Sequence, residues 1–365
     1  LGISKLKDKQ KEIINSFLRK KDTIGILPTG YGKSICYFLP YLMKNKSVIV
    51  ISPLISLMED QNNKLNEKGI KTIIFNSSHG HIMQTIAGQT KYSNILKNSE
   101  KYIMYFSPES FIANQYIVKN IIQHNSLSLI AIDECHCISE WGHNFRPSYT
   151  KIGEIKVLYP NIPIVALTAT ATNQVQTDII NKLNLDITKT ALIKSSIYRS
   201  NLKYAVRIKV DLETDLDQLY QTEVDKTIST IIYTNTIKNT DKICDYLINK
   251  HNIKCINYYS NIDKNTKKEI HDLFIENKIH CLVATIAYGM GVHKNDIRRI
   301  VHYTPPSSIE QYCQQTGRAG RDSKNAECIM YYNNTDFSLP HNKNNIESAN
   351  HMNLYCCTTD CRNKY

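Results

Sequence analysis

A glycine-rich stretch lies between a predicted strand and a predicted helix in "DTIGILPTGYGKSICYFLPYLM", residues 22–43. The β-branched run Asp22–Leu27 comes first, then the glycine-rich segment Leu27–Ser34, then an apolar helical pattern. Strand, glycine loop and helix in that order are the context of a phosphate-binding P-loop. Gly30 and Gly32 carry no Cβ, so backbone N–H groups there can face phosphate oxygens. The stretch predicts a nucleotide phosphate site on a parallel α/β fold.

The end of this loop supplies one cation and one hydroxyl. We expect Lys33 to reach the β- and γ-phosphates and Ser34 to hold Mg²⁺. One position departs from G-x-x-x-x-G-K-[ST], because Leu27 stands at the first glycine. A glycine turn with an incidental lysine is the alternative interpretation. The predicted nucleotide-contacting residues are Leu27, Pro28, Thr29, Gly30, Tyr31, Gly32, Lys33 and Ser34.

Short apolar runs recur along the chain between longer helical patterns, which is typical of parallel sheets covered by helices. Six predicted strands precede residue 200, at 22–27, 47–52, 72–75, 102–106, 127–133 and 162–168. Five more follow, at 227–234, 254–259, 279–285, 298–303 and 326–332. We therefore expect two α/β domains, 1–200 and 201–335, joined near residues 195–206. The segment 336–365 begins polar and then turns helical.

The amino-acid composition indicates which kinds of binding partner and which cellular compartment to expect. The formal charge of +12 favours a polyanionic partner such as nucleic acid, although a bias towards Lys, Asn, Ile and Tyr explains it equally well. No apolar run approaches the length of a membrane span, so no membrane partner is expected. Eleven scattered cysteines, an odd number, indicate a reducing intracellular compartment rather than a disulfide framework.

Two carboxylates follow the apolar strand at 127–133. Asp133 and Glu134 open "DECH", and ligands of open α/β sheets bind at this end of the strands. Asp133 suits a Mg²⁺ ligand, and Glu134 suits a base that polarises the attacking water. Asp-Glu after a strand is also a common way for a loop to begin. We favour a catalytic pair of carboxylates because a P-loop lies one hundred residues earlier.

The second domain contains "QQTGRAGRD", Gln314–Asp322, which places two arginines among glycines. Arg318 and Arg321 suit a γ-phosphate whose charge spreads in the transition state. The second predicted domain has no P-loop of its own, so we expect it to complete the site by closing on the first. A solvated basic turn is the alternative.

These motifs together resemble the RecQ family of ATP-dependent DNA helicases, within helicase superfamily 2. The resemblance covers nearly the whole chain and runs in order through "LKDKQKEII", "LPTGYGKS", "ISPLISLMEDQ", "YFSPES", "DECH", "WGHNFRPSY", "ALTATAT", "VATIAYGMGV" and "IEQYCQQTGRAGRD". It implies two tandem RecA-like parallel-sheet domains, a DEAH-type Mg²⁺-ATPase, 3′→5′ unwinding, and a place in DNA repair or recombination.

The resemblance also assigns roles. Gln10 matches an adenine-reading glutamine, while Gln314, Arg318 and Arg321 match the motif whose arginines face the triphosphate. Thr168 begins the "TAT" element that links hydrolysis to movement, and we count it among the nucleic-acid-binding residues. The segment containing Ser52, Pro53 and Leu54 resembles one that grips the strand backbone.

"EWGHNFRPSY" resembles the aromatic-rich loop of RecQ enzymes, which separates them from their RNA-helicase cousins. Trp141, Phe145 and Arg146 offer stacking faces and a cation for nucleic-acid bases. A base that contacts them could signal to Glu134. In the alternative interpretation, Trp141 is a core residue.

The chain departs from the family at several positions. His293 and Asn144 each replace a usual Asp, and Tyr259 and Asn261 replace a usual His and Gly. The final residues resemble the start of the RecQ zinc subdomain, with Cys361 as its first ligand. We expect the chain to end inside that subdomain, so that Zn²⁺ binds only to a longer chain.

Single-stranded and forked DNA are the expected partners, in the nucleus or another DNA-containing compartment. Two other functions stay open. An RNA helicase would share most of these motifs, so RNA is a possible substrate. A nucleic-acid-binding protein with impaired turnover would be compatible with His293, although Lys33, Asp133, Glu134 and Arg321 argue against it.

Overall fold

The computed structural model describes residues 5–44, 46–75, 100–124, 127–139, 146–196, 198–285, 294–338 and 346–358. The predictions for Trp141, Phe145, Asn144, His293 and Cys361 lie outside these residues. The chain divides into two compact units, Leu1–Ile197 and Tyr198–Tyr365.

The first unit is built on a seven-stranded parallel sheet in the order β3-β4-β2-β5-β6-β1-β7. Its strands are β1 (Thr23–Ile26), β2 (Ser47–Ile51), β3 (Thr72–Phe75), β4 (Ile103–Phe106), β5 (Leu127–Ile132), β6 (Ile164–Thr168) and β7 (Ala191–Lys194). Its helices are α1 (Asp8–Leu18), α2 (Ile35–Lys44), α3 (Ile55–Asn66), α4 (Pro108–Ala113), α5 (Gln115–His124), α6 (Pro147–Thr150), α7 (Glu154–Leu158) and α8 (Asn173–Lys182).

The second unit is built on a six-stranded parallel sheet in the order β10-β11-β9-β12-β13-β8. Its strands are β8 (Leu202–Ile208), β9 (Thr230–Tyr233), β10 (Cys255–Tyr258), β11 (Cys281–Ala284), β12 (Arg299–His302) and β13 (Ala326–Tyr332). Its helices are α9 (Leu212–Asp217), α10 (Glu223–Thr227), α11 (Ile237–His251), α12 (Lys264–Ile275), α13 (Ile309–Thr316) and α14 (Ile346–Cys357).

Helices cover both faces of each sheet, so apolar side chains are buried on both faces. Alternate residues of the central strands of the first unit enter two separate core clusters, one on each face. The second unit repeats this arrangement. Residues of α14 form a fifth cluster with Tyr312 and Met330. This layering confirms the predicted class of two α/β parallel-sheet domains.

All eleven predicted strands are present, but β7 and β8 were not predicted. Both are edge strands, and both are only partly buried. Their sequences, "ALIK" and "LKYAVRI", carry basic residues that interrupt the apolar signal. The β8 strand lies in the stretch that the sequence suggested as an interdomain join.

Parallel strands bring their carboxyl ends to one edge of the sheet, and several predicted site residues of the first unit gather there. The backbone N–H of Leu27 donates to the Thr168 carbonyl (2.9 Å), and that of Asp133 donates to the Ile51 carbonyl (2.8 Å). The N–H of Ser52 donates to the Phe106 carbonyl (3.0 Å). We call this edge of the first unit the nucleotide edge.

Among the described helices, none is both long and apolar enough to cross a membrane. The ten cysteines of the described segments are all free thiols.

Candidate active site

The P-loop follows β1 and leads into α2. Gly30 and Gly32 have φ of 80° and 85°, in the left-handed region that glycine adopts without steric cost. A Cβ on Gly32 would lie 2.8 Å from Gln10 Nε2. The backbone N–H groups of Gly32, Lys33 and Ser34 donate no hydrogen bond within the described residues. Free amide N–H groups at a helix start form an anion cradle, so the loop fits a phosphate group.

The described contacts of Gln10 hold this loop. Its Nε2 donates to the carbonyls of Tyr31 (2.8 Å) and Gly32 (3.1 Å), and its Oε1 accepts from the Lys7 N–H (2.8 Å). The side chain is 5% exposed. In this structure the glutamine predicted to read adenine therefore braces the phosphate loop.

Lys33 and Ser34 end the loop. Lys33 Nζ lies 3.4 Å from the Leu27 carbonyl. Ser34 Oγ accepts from Gln61 Nε2 (3.1 Å), and Gln61 Oε1 accepts from the hydroxyls of Tyr37 (3.2 Å) and Tyr105 (3.0 Å). Because two tyrosine donors fix the amide oxygen, the amide nitrogen must point at Ser34. The sequence did not single out Gln61, although it ends the "ISPLISLMEDQ" motif.

Asp133 is a buried carboxylate at the end of β5, with 4% of its surface exposed. Its Oδ1 accepts from the Glu134 N–H (3.0 Å). Burial, together with the neighbouring Glu134 charge and against the charge of Lys33, raises the pKa of the Asp133 carboxyl to about 7. A buried carboxylate that is costly to ionise alone is suited to a divalent cation. Asp133 and Ser34 therefore fit as Mg²⁺-holding residues.

Glu134 has a strained backbone, with φ 48° and ψ 45°. A non-glycine residue in this region costs on the order of 1 kcal/mol, and such strain clusters at functional sites. A short 3₁₀ helix, Cys135–Ile138, follows at once. The left-handed turn redirects the chain directly after Asp133, so that successive carboxylates leave the sheet edge in different directions.

His136 connects Glu134 to Thr168. Its Nδ1 lies 2.8 Å from Thr168 Oγ1 and 3.3 Å from Glu134 Oε2. Thr168 donates its own proton to the Thr170 carbonyl (3.0 Å), so it accepts from His136, and Nδ1 carries the proton. Thr168 has no exposed surface. The described side-chain hydrogen bonds of this predicted nucleic-acid-binding residue are thus with His136 of "DECH" and with its own "TAT" element.

The segment after "DECH" is attached at both described ends. Ser139 Oγ donates to Asp178 Oδ2 of α8 (2.5 Å), and the Arg146 N–H donates to the Cys137 carbonyl (3.0 Å). Tyr149, fully buried, donates its hydroxyl proton to the Asp133 carbonyl (3.0 Å). Tyr149 was not singled out from the sequence, where it is only the last letter of "FRPSY".

Arg146 and the segment Ser52–Leu54 are the other predicted nucleic-acid-binding residues within the described part. Ser52 is 2% exposed. Arg146 is half-buried, and its NH1 lies 3.8 Å from Glu109 Oε1.

The predicted arginine residues lie in the second unit. Gln314 is in α13, which Ser308 caps by accepting from the Gln311 N–H. Arg318, 4% exposed, and Arg321 follow in the loop after that helix. Burial, together with the charges of Arg318 and Arg199, lowers the pKa of Arg321 to about 10. We call residues 317–321 the arginine loop.

Two residues of the presumed interdomain join contact the arginine loop. Arg199 donates to the carbonyls of Gly317 and Gly320, and Asn201 Nδ2 donates to the carbonyls of Gly320 (3.0 Å) and Lys324 (2.8 Å). Neither residue could be predicted from local sequence, because the contacts span about 120 positions along the chain.

Known proteins resemble this chain over most of its length. The DEAD/DEAH box helicase family matches residues 7–179, and the helicase conserved C-terminal domain matches residues 211–323. The ATP-dependent DNA helicase RecQ of Pasteurella multocida is 37% identical over 341 residues, covering 93% of this chain and 52% of that protein. A protein of Acanthamoeba polyphaga mimivirus, named as an ATP-dependent RNA helicase, is 38% identical over 375 residues, covering 100% of this chain and 66% of that protein.

Among solved structures, the DUF1998 helicase MrfA bound to DNA superposes with a TM-score of 0.74 at 18% identity, covering 97% of this chain and 49% of that one. This likeness shows the fold, a tandem pair of RecA-like domains. The chain spans about half to two thirds of the length of the two relatives named above. The sequence matches and the two helicase domains place it in one family: the chain belongs to the RecQ family of helicase superfamily 2.

Proposed function

We propose that this chain is the ATP-hydrolysing motor of a RecQ-type DNA helicase that moves 3′→5′ along single-stranded DNA. One observation carries the proposal. The open N–H cradle of Gly32, Lys33 and Ser34 shares the nucleotide edge with Asp133 and Glu134. A triphosphate seated in the cradle would thus meet two carboxylates suited to metal binding and to water activation.

Each residue of this edge has a distinct task. Lys33 binds phosphate charge, and Ser34 and Asp133 hold the metal. Glu134 accepts a proton from the attacking water, and its carboxylate lies beside the His136 ring, with Oε2 3.3 Å from Nδ1. Mg²⁺, when bound, would neutralise charge on the β- and γ-phosphates. Arg321 and Arg318 stabilise the charge that spreads in the transition state.

DNA is the proposed substrate because of the segment between Ser139 and Arg146, which belongs to the "WGHNFRPSY" motif. The described ends of this segment are bonded to α8 and to the Cys137 carbonyl, and Tyr149 is bonded to the Asp133 carbonyl. A base contact at Trp141, Phe145 or Arg146 would therefore act on a motif that is bonded to the backbone of Cys137 and of Asp133. The same proposal includes forked DNA as substrate, work in DNA repair or recombination, and a DNA-containing compartment.

An RNA helicase is the second candidate. One observation favours it, namely the 38% identity to the mimivirus protein that carries an RNA helicase name. Both candidates use the same hydrolytic residues, so only the response to the two nucleic acids separates them.

The Zn²⁺ site stays part of the proposal for a longer chain, with Cys361 as its first ligand.

Unwinding of tailed duplexes tests the helicase proposal. We expect Mg²⁺-ATP to drive separation of a DNA duplex with a 3′ single-stranded tail but not of one with a 5′ tail. Lys33→Ala is the negative control, because it removes the cation of the cradle. Unwinding only from 5′ tails would contradict the polarity, and unwinding by Lys33→Ala at the wild-type rate would contradict the assigned site.

A further inference from the structure

Arg199 lies at the start of the second unit, three residues before β8, and its guanidinium reaches the arginine loop. Its NH1 donates to the Gly317 carbonyl (3.1 Å), and its NH2 donates to the Gly320 carbonyl. These two carbonyls are not arbitrary. Gly317 immediately precedes Arg318, and Gly320 immediately precedes Arg321.

The position of the two carbonyls matters because the peptide group is planar. The Gly317 carbonyl and the Arg318 nitrogen belong to one rigid plane, as do the Gly320 carbonyl and the Arg321 nitrogen. A donor that holds each carbonyl therefore also sets the direction in which the next residue leaves the backbone. One guanidinium, with donors in a fixed planar fork, orients the attachment points of both arginines at once.

Asn201 also binds the peptide group between Gly320 and Arg321. Its Nδ2 donates to the Gly320 carbonyl (3.0 Å) and to the Lys324 carbonyl (2.8 Å). The Gly320 N–H is also engaged, since it donates to the Ile297 carbonyl (2.9 Å). Hydrogen bonds on its N–H and its carbonyl thus hold Gly320 in the left-handed region, with φ of 51°.

Arg199 is not placed there by electrostatic attraction to the arginines. Its positive charge lowers the pKa of Arg321, after burial and Arg318, so both Arg199 and Arg318 repel the Arg321 guanidinium. Residues held together against like-charge repulsion need compensating bonds, and the two carbonyls supply them. The repulsion also leaves the arginine loop poised for an anion.

We propose that Arg199 and Asn201 are positioning residues that hold the arginine loop in the geometry that Arg321 needs in the transition state. The inference rests on the proposed function of Arg321. It predicts that losing Arg199 lowers kcat for ATP hydrolysis while the KM for ATP stays nearly constant, because an interaction made only in the transition state is weakened.

A double-mutant cycle tests this. Single-turnover hydrolysis with enzyme and single-stranded DNA in excess keeps slow variants measurable. We expect Arg199→Ala to lower the rate about 10- to 100-fold, as small misplacements of catalytic groups do. In an Arg321→Ala background, adding Arg199→Ala should lower the rate by less than about 2-fold, because the group it positions is gone.

Two further variants separate geometry from charge and from stability. Arg199→Lys keeps the charge but replaces the rigid planar fork with a single ammonium group on a flexible stem, so it should be as slow as Arg199→Ala. Arg207→Ala is the matched control. It removes an arginine of β8 that donates to the Tyr331 hydroxyl (2.9 Å), and its rate should equal that of the wild type.

Equal losses from Arg199→Ala in both backgrounds would show a general structural role and overturn the inference, as would a folded Arg199→Ala with the wild-type rate. If Arg199→Ala does not fold, Asn201→Ala takes its place, with a smaller loss that must also vanish in the Arg321→Ala background. A wild-type rate for Arg321→Ala alone would instead refute the role proposed for Arg321, and this result needs no Arg199 variant.

Discussion

The nucleotide edge of the first unit and the arginine loop of the second are positioned by different means. At the nucleotide edge, the P-loop, Ser52, Asp133 and Thr168 each lie at or directly after the end of a strand, so the sheet itself aligns them. The arginine loop instead follows a helix, α13, and side chains from residues 199 and 201 hold it. Strand ends align the residues of the first site, with Gln10 and Gln61 as additional side-chain supports, whereas the arginine loop lies at no strand end and is held by long-range side-chain bonds.

Loss of Arg321 should have the largest effect and tests the arginine loop directly. We expect Arg321→Ala to lower kcat about 10³- to 10⁵-fold, the range for arginines that stabilise phosphoryl-transfer transition states. Binding of ATP, followed with a fluorescent analogue, should weaken far less. An unchanged kcat would mean that the arginine loop has no part in the reaction.

Loss of Glu134 tests the nucleotide edge in the same assay. Glu134→Gln keeps the side-chain size but removes the base, so kcat should fall about 10²- to 10⁴-fold, the usual contribution of general-base catalysis. Nucleotide binding should persist, because the N–H cradle and Lys33 are intact. Near-normal turnover by this variant would exclude Glu134 as the base.

Gln61 tests how far the nucleotide edge depends on a distant side chain, because its amide donates to Ser34 Oγ from 27 positions away. Gln61→Met removes the amide that donates to Ser34 Oγ and keeps a similar volume. We expect the Mg²⁺ concentration for half-maximal nucleotide binding to rise about 10-fold, as for other partners of metal ligands. The affinity for Mg²⁺-free nucleotide should not change.

The control for Gln61 is Asn63→Met, on an exposed position of the same helix. It should leave the Mg²⁺ dependence at the wild-type value. An identical Mg²⁺ midpoint for a folded Gln61→Met would show that Ser34 needs no partner from α3.

Alanine substitutions at two glycines separate the stability cost of backbone strain from the cost of crowding by neighbouring atoms. Gly69→Ala meets only an unfavourable φ of 73°, with no atom within 4 Å of the new Cβ. Gly320→Ala meets a φ of 51° and places Cβ 2.6 Å from both Asn201 Nδ2 and the Lys324 carbonyl. In denaturant unfolding we expect a loss of about 1–2 kcal/mol for Gly69→Ala from the backbone term. Crowding should add about 1–3 kcal/mol for Gly320→Ala. Equal losses would mean that the arginine loop relaxes freely.

The features that could be predicted from the sequence are those that depend on short runs of neighbouring residues. The P-loop, "DECH" and eleven strands could be predicted, because each depends on neighbouring residues. The edge strands β7 and β8 could not, since their basic, half-exposed residues break the apolar pattern. The roles assigned to Lys33, Glu134 and Arg321 came from motif resemblance and stay predictions until they are measured.

Partnerships between distant residues were not predictable from the sequence. Gln61 and Ser34 are 27 positions apart, and Tyr149 is bonded to the backbone carbonyl of Asp133, 16 positions earlier in a different motif. Arg199 and Asn201 belong to a stretch that was interpreted as a join between domains, because nothing in their local sequence refers to residues 317–320. Such contacts depend on how the chain returns on itself, which periodicity and spacing do not encode.

The most direct measurement of the central claim is steady-state hydrolysis of Mg²⁺-ATP with no nucleic acid, with single-stranded DNA, and with RNA of the same sequence. All reactions need saturating nucleic acid and one fixed salt concentration, because phosphate contacts make affinity salt-dependent. We expect single-stranded DNA to stimulate hydrolysis strongly and RNA to stimulate it less, with no turnover by Lys33→Ala under any condition. Stimulation by RNA equal to or greater than that by DNA would contradict the DNA assignment, and turnover that survives Lys33→Ala would contradict the site itself.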